Sequence, residues 1–177
     1  MNTEESITFL TEAMPESILN SKKFLGEATI EINKQKVLQI LELLKQKSGP
    51  GYELLSDLTA IDYIEPKKVT KIVYWLQNPN HFSRLRIITF VERGESISSV
   101  TSLWSGANWY EREIFDLFGV SFEGHPDLTR LLMTDDWTGH PLRKDYKLTE
   151  ESVEFKHGVH PKVPSDIIHV KRNQKYL

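Results

Sequence analysis

YELLSDLTAIDYIEPKKVTKIVYWLQNPNHFSRLRIITFV, residues 52–91, is the stretch that decides the fold. Three segments within it, 52–63, 69–77 and 85–91, are rich in Val, Ile and aromatic residues. Such side chains suit the pleated, half-buried surface of a strand. Glu65-Pro66 separates the first segment from the second, Asn78-Pro79-Asn80 the second from the third, and Arg93-Gly94 closes the third. Breaks this short join neighbouring antiparallel strands, so the pattern predicts a meander. Residues 97–103 are the expected fourth strand.

Upstream, the periodicity changes. Val37, Ile40, Leu41 and Leu44 recur at i, i+3, i+4 and i+7, which predicts a helix over 34–47 with one apolar stripe. Asn33 is its expected N-cap, and Ser48-Gly49-Pro50-Gly51 its stop. Residues 24–32 are expected to form a strand. Residues 6–13 are expected to form a short amphipathic helix with Ile7, Leu10 and Met14 on one side. Strands that cluster after a helix, instead of alternating with helices, predict an α+β fold: a two-layer domain with helices packed on one mixed, largely antiparallel sheet.

Downstream, Ser105 or Asn108 is expected to cap a helix that runs through Phe118 and ends at Gly119. Five of the six histidines (His125, His140, His157, His160, His169) and four of the eight prolines lie beyond Phe122, where apolar runs are few. A segment of that composition buries too little apolar area to order itself. The expected organisation is therefore a domain over 1–122 and an extended Pro/His-rich arm over 123–177, with one helical turn near 127–132.

Bulk properties exclude several classes of function. The 177 residues carry a net charge of -3, so no phosphate-binding surface and no nucleic-acid partner is expected. There is no cysteine, which removes disulfides, thiolate-bound zinc, Cys-ligated iron–sulfur clusters and a Cys nucleophile. Glu4 and Glu5 stand where a signal peptide would be positive, and no segment approaches the ~20 apolar residues of a membrane helix. Neither GxGxxG nor GxxxxGK[ST] occurs.

Residues 107–146, ANWYEREIFDLFGVSFEGHPDLTRLLMTDDWTGHPLRKDY, have a different texture. On a helix, Ala107, Tyr110, Ile114, Leu117 and Phe118 share the face expected to pack on the sheet. Glu111, Arg112, Glu113 and Asp116 are expected on the other sides, with Arg112 and Asp116 spaced to pair. A solvated helix face explains such charges. Trp109 and Phe115, large apolar residues beside fixed charges, point instead to a contact surface. Gly124-His125-Pro126 and Gly139-His140-Pro141 repeat one trio, and Asp127 is placed to cap the turn after the first. Docking into a neighbouring protein and two rigid turns in an exposed tail both account for the repeat.

Catalytic and metal readings are weaker. His125, Asp127, Asp135, Asp136 and His140 have ligand chemistry, and His157 and His160 form H-x-x-H, but Pro-broken loops hold ligands poorly. Glu111 and Glu113, two positions apart, diverge around a helix and share no substrate. Ser102 and Ser105 lack the setting of a nucleophile elbow.

Glu111-Arg112-Glu113, Asp116-Leu117-Phe118-Gly119, His125-Pro126-Asp127-Leu128, Arg130-Leu131-Leu132 and Gly139-His140-Pro141-Leu142-Arg143-Lys144-Asp145 follow one another at fixed spacing along this one stretch. In order and spacing they resemble the signature of the 30 kDa subunit family, the C subunit of NADH:quinone oxidoreductase (respiratory complex I). Lys147 stands where such sequences often carry proline, and residues 149–177 resemble nothing placed. The resemblance implies a non-catalytic subunit of the hydrophilic arm, peripheral on the cytoplasmic side of the bacterial inner membrane. It implies docking on the quinone-reducing D subunit beside the B and I subunits, while FMN, iron–sulfur clusters and quinone belong to other subunits. The equivalent subunit of a membrane-bound hydrogenase or ferredoxin-dependent dehydrogenase is the alternative. A stand-alone enzyme is the other class, and nothing in the residues asks for it. The implied interface residues are Trp109, Glu111, Arg112, Glu113, Asp116, His125, Asp127, Arg130, His140, Arg143, Lys144 and Asp145.

Overall fold

A computed structural model of the chain describes residues 3–46 and 49–147. The meander is present. Strand β3 (Leu54–Tyr63) pairs antiparallel with β4 (Val69–Asn78), which pairs antiparallel with β5 (Ser83–Glu92). Alternation along these strands decides what is buried. Ile72, Tyr74 and Leu76 of β4 and Leu85, Ile87 and Val91 of β5 face the core. Against that face lie α1 (Thr3–Ala13), through Leu10, and α2 (Val37–Lys45), through Val37, Ile40, Leu41 and Leu44. Each such large aliphatic side chain contributes about 1.5–3 kcal/mol by leaving water.

Two further strands complete the sheet. β1 (Ile18–Phe24) and β2 (Glu27–Ile32) form an antiparallel hairpin, and β2 then pairs in parallel with β5, giving the order β1-β2-β5-β4-β3. The fold is thus the expected two-layer α+β arrangement on a mixed sheet. The hairpin replaces the single strand expected over 24–32. Its turn is Leu25-Gly26, both at positive φ (49° and 86°). β1 is an edge strand exposed along almost its whole length, so its sequence carries no alternation to detect.

Other boundaries move for local reasons. Asn33 does cap, accepting from the Gln35 N–H, but it opens a 3-10 turn over Lys34–Lys36 ahead of α2. The expected fourth strand contracts to β6 (Ser96–Ser98), which leaves the main sheet and pairs in parallel with β7 (Ser121–Glu123). Beyond it the chain turns, the Val100 carbonyl accepting from Leu103 and Trp104. Helix α3 (Ala107–Phe118) packs beside β3, and neither Ser105 nor Asn108 caps it: Gly106 occupies that position without a side-chain bond. Gly119 ends it in the left-handed conformation, as expected. The helical turn expected over 127–132 is replaced by irregular chain. Residues up to Tyr146 belong to the same compact unit as the sheet. The rest of the expected arm, with His157, His160 and His169, lies outside the described residues.

Candidate functional site

An α-helix ends with four carbonyls that have no partner inside the helix. At α3 each of them is met by another part of this chain. The Phe115 carbonyl accepts from the Gly119 amide at 2.9 Å. His140 Nδ1 lies 2.8 Å from the Asp116 carbonyl. The Leu142 amide donates to Leu117 at 3.1 Å. Arg143 donates through Nε to Phe118 at 2.6 Å and through a terminal nitrogen to Gly119 at 3.1 Å. The Gly-His-Pro-Leu-Arg run is therefore a cap for the helix that precedes it. Gly119 is required here twice over: its φ is +72°, and a Cβ would sit 2.1 Å from Arg143.

The stretch between helix and cap is pinned by Asp116, whose side chain is fully buried. One carboxylate oxygen accepts from the amides of Leu131, Leu132 and Met133 at 3.0, 2.7 and 2.8 Å. The other accepts from Arg130 at 2.6 Å. Burial works to raise this carboxyl, but the amides of Met133 and Leu132, the Arg130 guanidinium and the Leu131 amide together hold it below its ordinary value. These amides are the ones a helical turn over 127–132 would have used internally, which is why that turn is absent. Arg130 also donates to the Trp137 and Gly139 carbonyls at 3.0 and 3.3 Å. Arg112 donates to the Thr129 and Arg130 carbonyls, so the expected Arg112–Asp116 pair does not form. Burial, reinforced by the charges of Arg143 and Arg130, lowers the pKa of His140. The ring is then neutral at neutral pH, with its proton on the Nδ1 that faces the Asp116 carbonyl.

The far end of this strap is tied to the sheet. Asp62, fully buried at the end of β3, accepts from the Lys144 amide at 2.7 Å and forms an ion pair with Arg93 at 2.6 Å. Arg93 reaches Asp145 at 3.6 Å, and Lys68 reaches it at 3.4 Å. The Lys144 side chain itself is exposed. Sequence reading missed Asp62, Lys68 and Arg93. The available signal was phase: Leu58, Ala60 and Asp62 alternate along β3, so a carboxylate occupies an inward position.

Glu111 is also corrected. It was expected away from the core, yet its side chain is fully buried, with Oε1 accepting from the Val100 amide at 2.7 Å. Burial outweighs this bond and one from Ser99, and its pKa is pushed up to about 7. Burial first, and the Glu111 charge second, raise the phenol of buried Tyr74. His125 faces inward as well, Nε2 standing 3.3 Å from the Asn108 carbonyl while Nδ1 accepts from the Asp127 amide. The Asp127 side chain is exposed and caps no turn. What remains outward on α3 is Glu113, together with Trp109, 59% exposed and carrying the Arg112 guanidinium 5.1 Å above its ring. Leu132 on the strap is 61% exposed. The structure therefore divides the expected interface residues. Asp116, Arg130, His140, Arg143 and Asp145 bind the chain to itself, whereas Trp109 and Glu113 present a surface. Among the described residues, no group of three or more His, Asp or Glu side chains is placed to hold a metal ion, and no helix is long and apolar enough to cross a membrane.

Residues 30–152 match the family described as respiratory-chain NADH dehydrogenase, 30 kDa subunit. The chain is similar to the C subunit of NADH-quinone oxidoreductase from Geobacter metallireducens, at 45% identity over 150 residues, covering 82% of this chain and 90% of that protein. It is 39% identical over 142 residues to the mitochondrial NADH-ubiquinone oxidoreductase 30.4 kDa subunit of Neurospora crassa, covering 80% of this chain and 50% of that one. Its fold is shared by a chain of a membrane-bound sulfane sulfur reductase, an archaeal respiratory membrane complex. That match has a TM-score of 0.71 and 22% identity, and covers 90% of this chain and 98% of the other.

Proposed function

Because the chain belongs to the family of the respiratory-chain NADH dehydrogenase 30 kDa subunit, and so has partner subunits, we propose that it is a non-catalytic structural subunit in the hydrophilic arm of a proton-translocating NADH:quinone oxidoreductase. It docks on the quinone-reducing D subunit, next to the B and I subunits, on the cytoplasmic side of the membrane. It supports electron transfer from NADH to quinone coupled to proton pumping without holding FMN, an iron–sulfur cluster or quinone itself. The lack of cysteine supports this division of labour, since an iron–sulfur cluster is held by Cys thiolates.

The observation that carries the docking surface is the outer side of α3. Trp109 is exposed under the Arg112 guanidinium, which the strap holds in place through the Thr129 and Arg130 carbonyls. A rigid, amphipathic aromatic beside a cation is the usual composition of an interface anchor. Trp109→Ala should leave the melting temperature of the isolated chain nearly unchanged. It should cost assembly about 2 kcal/mol or more, read as loss of the co-purified quinone-reducing subunit from mild-detergent extracts. Normal recovery of that subunit with the variant would remove α3 from the interface.

A further inference from the structure

The sheet has two edges, and they are treated differently. At β3, α3 and the strap lie alongside: Tyr110 Oη is 3.4 Å from the Ser56 carbonyl, and Asp62 binds the Lys144 amide. β1, at the other edge, is exposed residue after residue from Leu19 to Phe24. Phe24 and Glu27 flank the two-residue turn, so they are the pair that exchanges both backbone bonds. Alternation from that pair gives Lys22↔Thr29 and Asn20↔Glu31 the inward bonds. It leaves the N–H and C=O of Ser21 and Lys23 pointing away from the sheet.

Such an edge is a template for another strand, and proteins that must keep strands away guard it with charge, bulges and short length. β1 has some of these guards, a bulge near Leu19 and the lysines Lys22 and Lys23. The flanking residues run the other way. Leu19, Phe24 and Leu25 are 61%, 66% and 88% exposed. Phe82 is 84% exposed, in the turn before β5 at the end of the sheet where the parallel β2 and β5 both begin. Leu19 lies toward the far end of β1, whereas Phe24, Leu25 and Phe82 lie at the same end of the sheet, and apolar side chains of this size left exposed there mark a surface that is covered in use.

We infer that the outer edge of β1 takes up an extended, acidic segment of a neighbouring subunit as a sixth strand of the sheet, with Phe24, Leu25 and Phe82 packing under its end. The inference rests on the chain being a subunit of a respiratory complex. The occupant is acidic because the edge carries Lys22 and Lys23 and no carboxylate, and the only carboxylate paired with Lys23 among the described residues is the exposed Glu4. A second copy of this chain is a poor occupant. Of the three antiparallel registers open to Ser21 and Lys23, one sets Lys22 opposite Lys22 and one sets Lys23 opposite Lys23; only the register that pairs Ser21 with itself keeps the lysines apart, and the mass of the free protein reveals it.

Residue-resolved amide exchange on the wild-type chain, free and in the purified complex, tests this. Ser21 and Lys23 amides should exchange about a hundredfold slower in the complex, while Asn20 and Lys22, already bonded to β2, change little. Ser21→Pro, which deletes an outward amide alone, should leave the melting of the free chain nearly unchanged and lower its incorporation about tenfold. Ser21 and Lys23 exchanging in the intact complex at their free rates would overturn the inference. Protection that comes with a second copy of this chain, seen in the mass of the free protein, would overturn it equally. If wild-type chain recovers no complex, the subunit reading itself falls, and the two failures are thereby told apart.

Discussion

Glu111 and Asp116 sit on one helix, both fully buried, and their surroundings drive them in opposite directions. Asp116 meets three amides and a guanidinium and is held ionised. Glu111 meets the Val100 amide and a Ser99 bond, which burial outweighs, and titrates at about 7. The two make stability depend on pH from both sides. Asp116 stabilises in full above the ordinary carboxylate range, and its contribution is lost as pH falls through its lowered folded value. Glu111 is neutral in both states below 4.5, and its stabilising proton is lost as pH rises through about 7. At full ionisation that loss is on the order of 3 kcal/mol. Urea unfolding should therefore show greatest stability near pH 5 and a decline toward pH 8. Glu111→Gln should flatten that decline and leave the acid limb in place. The burial of Glu111 was legible in principle: it follows Ala107 by four positions and precedes Ile114 by three, inside the apolar stripe. A charge at such a position masks the spacing that buries it.

At the scale of elements, the strands were legible because burial on one face leaves a period of two in β3, β4 and β5. β1 was not, since an edge strand exposed on both faces imposes no period. α3 was legible in length and in its glycine stop. The origin of its capping groups was not, because hydrogen bonds between a helix end and residues two dozen positions away leave no local pattern. Gly119 tests that arrangement. Gly119→Ala places a Cβ in a left-handed backbone and drives Arg143 from two carbonyls. A loss of about 2–4 kcal/mol is expected, with faster amide exchange at Leu142.

Across the whole molecule, the strap closes a circuit from α3 to the far end of β3. Arg93 is its fastener, standing between the buried Asp62 and the half-exposed Asp145. Arg93→Met would leave the Asp62 carboxylate buried without its cation, at a cost of about 3–5 kcal/mol. Limited proteolysis should then open the chain between residues 124 and 146 before the sheet is attacked. The family signature was legible as a string of residues and identified the family. Its physical meaning was not, because most of those polar groups turn toward the chain itself. Translation adds a timing consequence. Arg143 follows Phe118 by 25 positions, and a ribosome adds about 5–20 residues per second. For a second or more α3 emerges with bare carbonyls and an unanswered Asp116. A ribosome that stalls inside that window holds a nascent chain which chaperones, not partner subunits, would meet first.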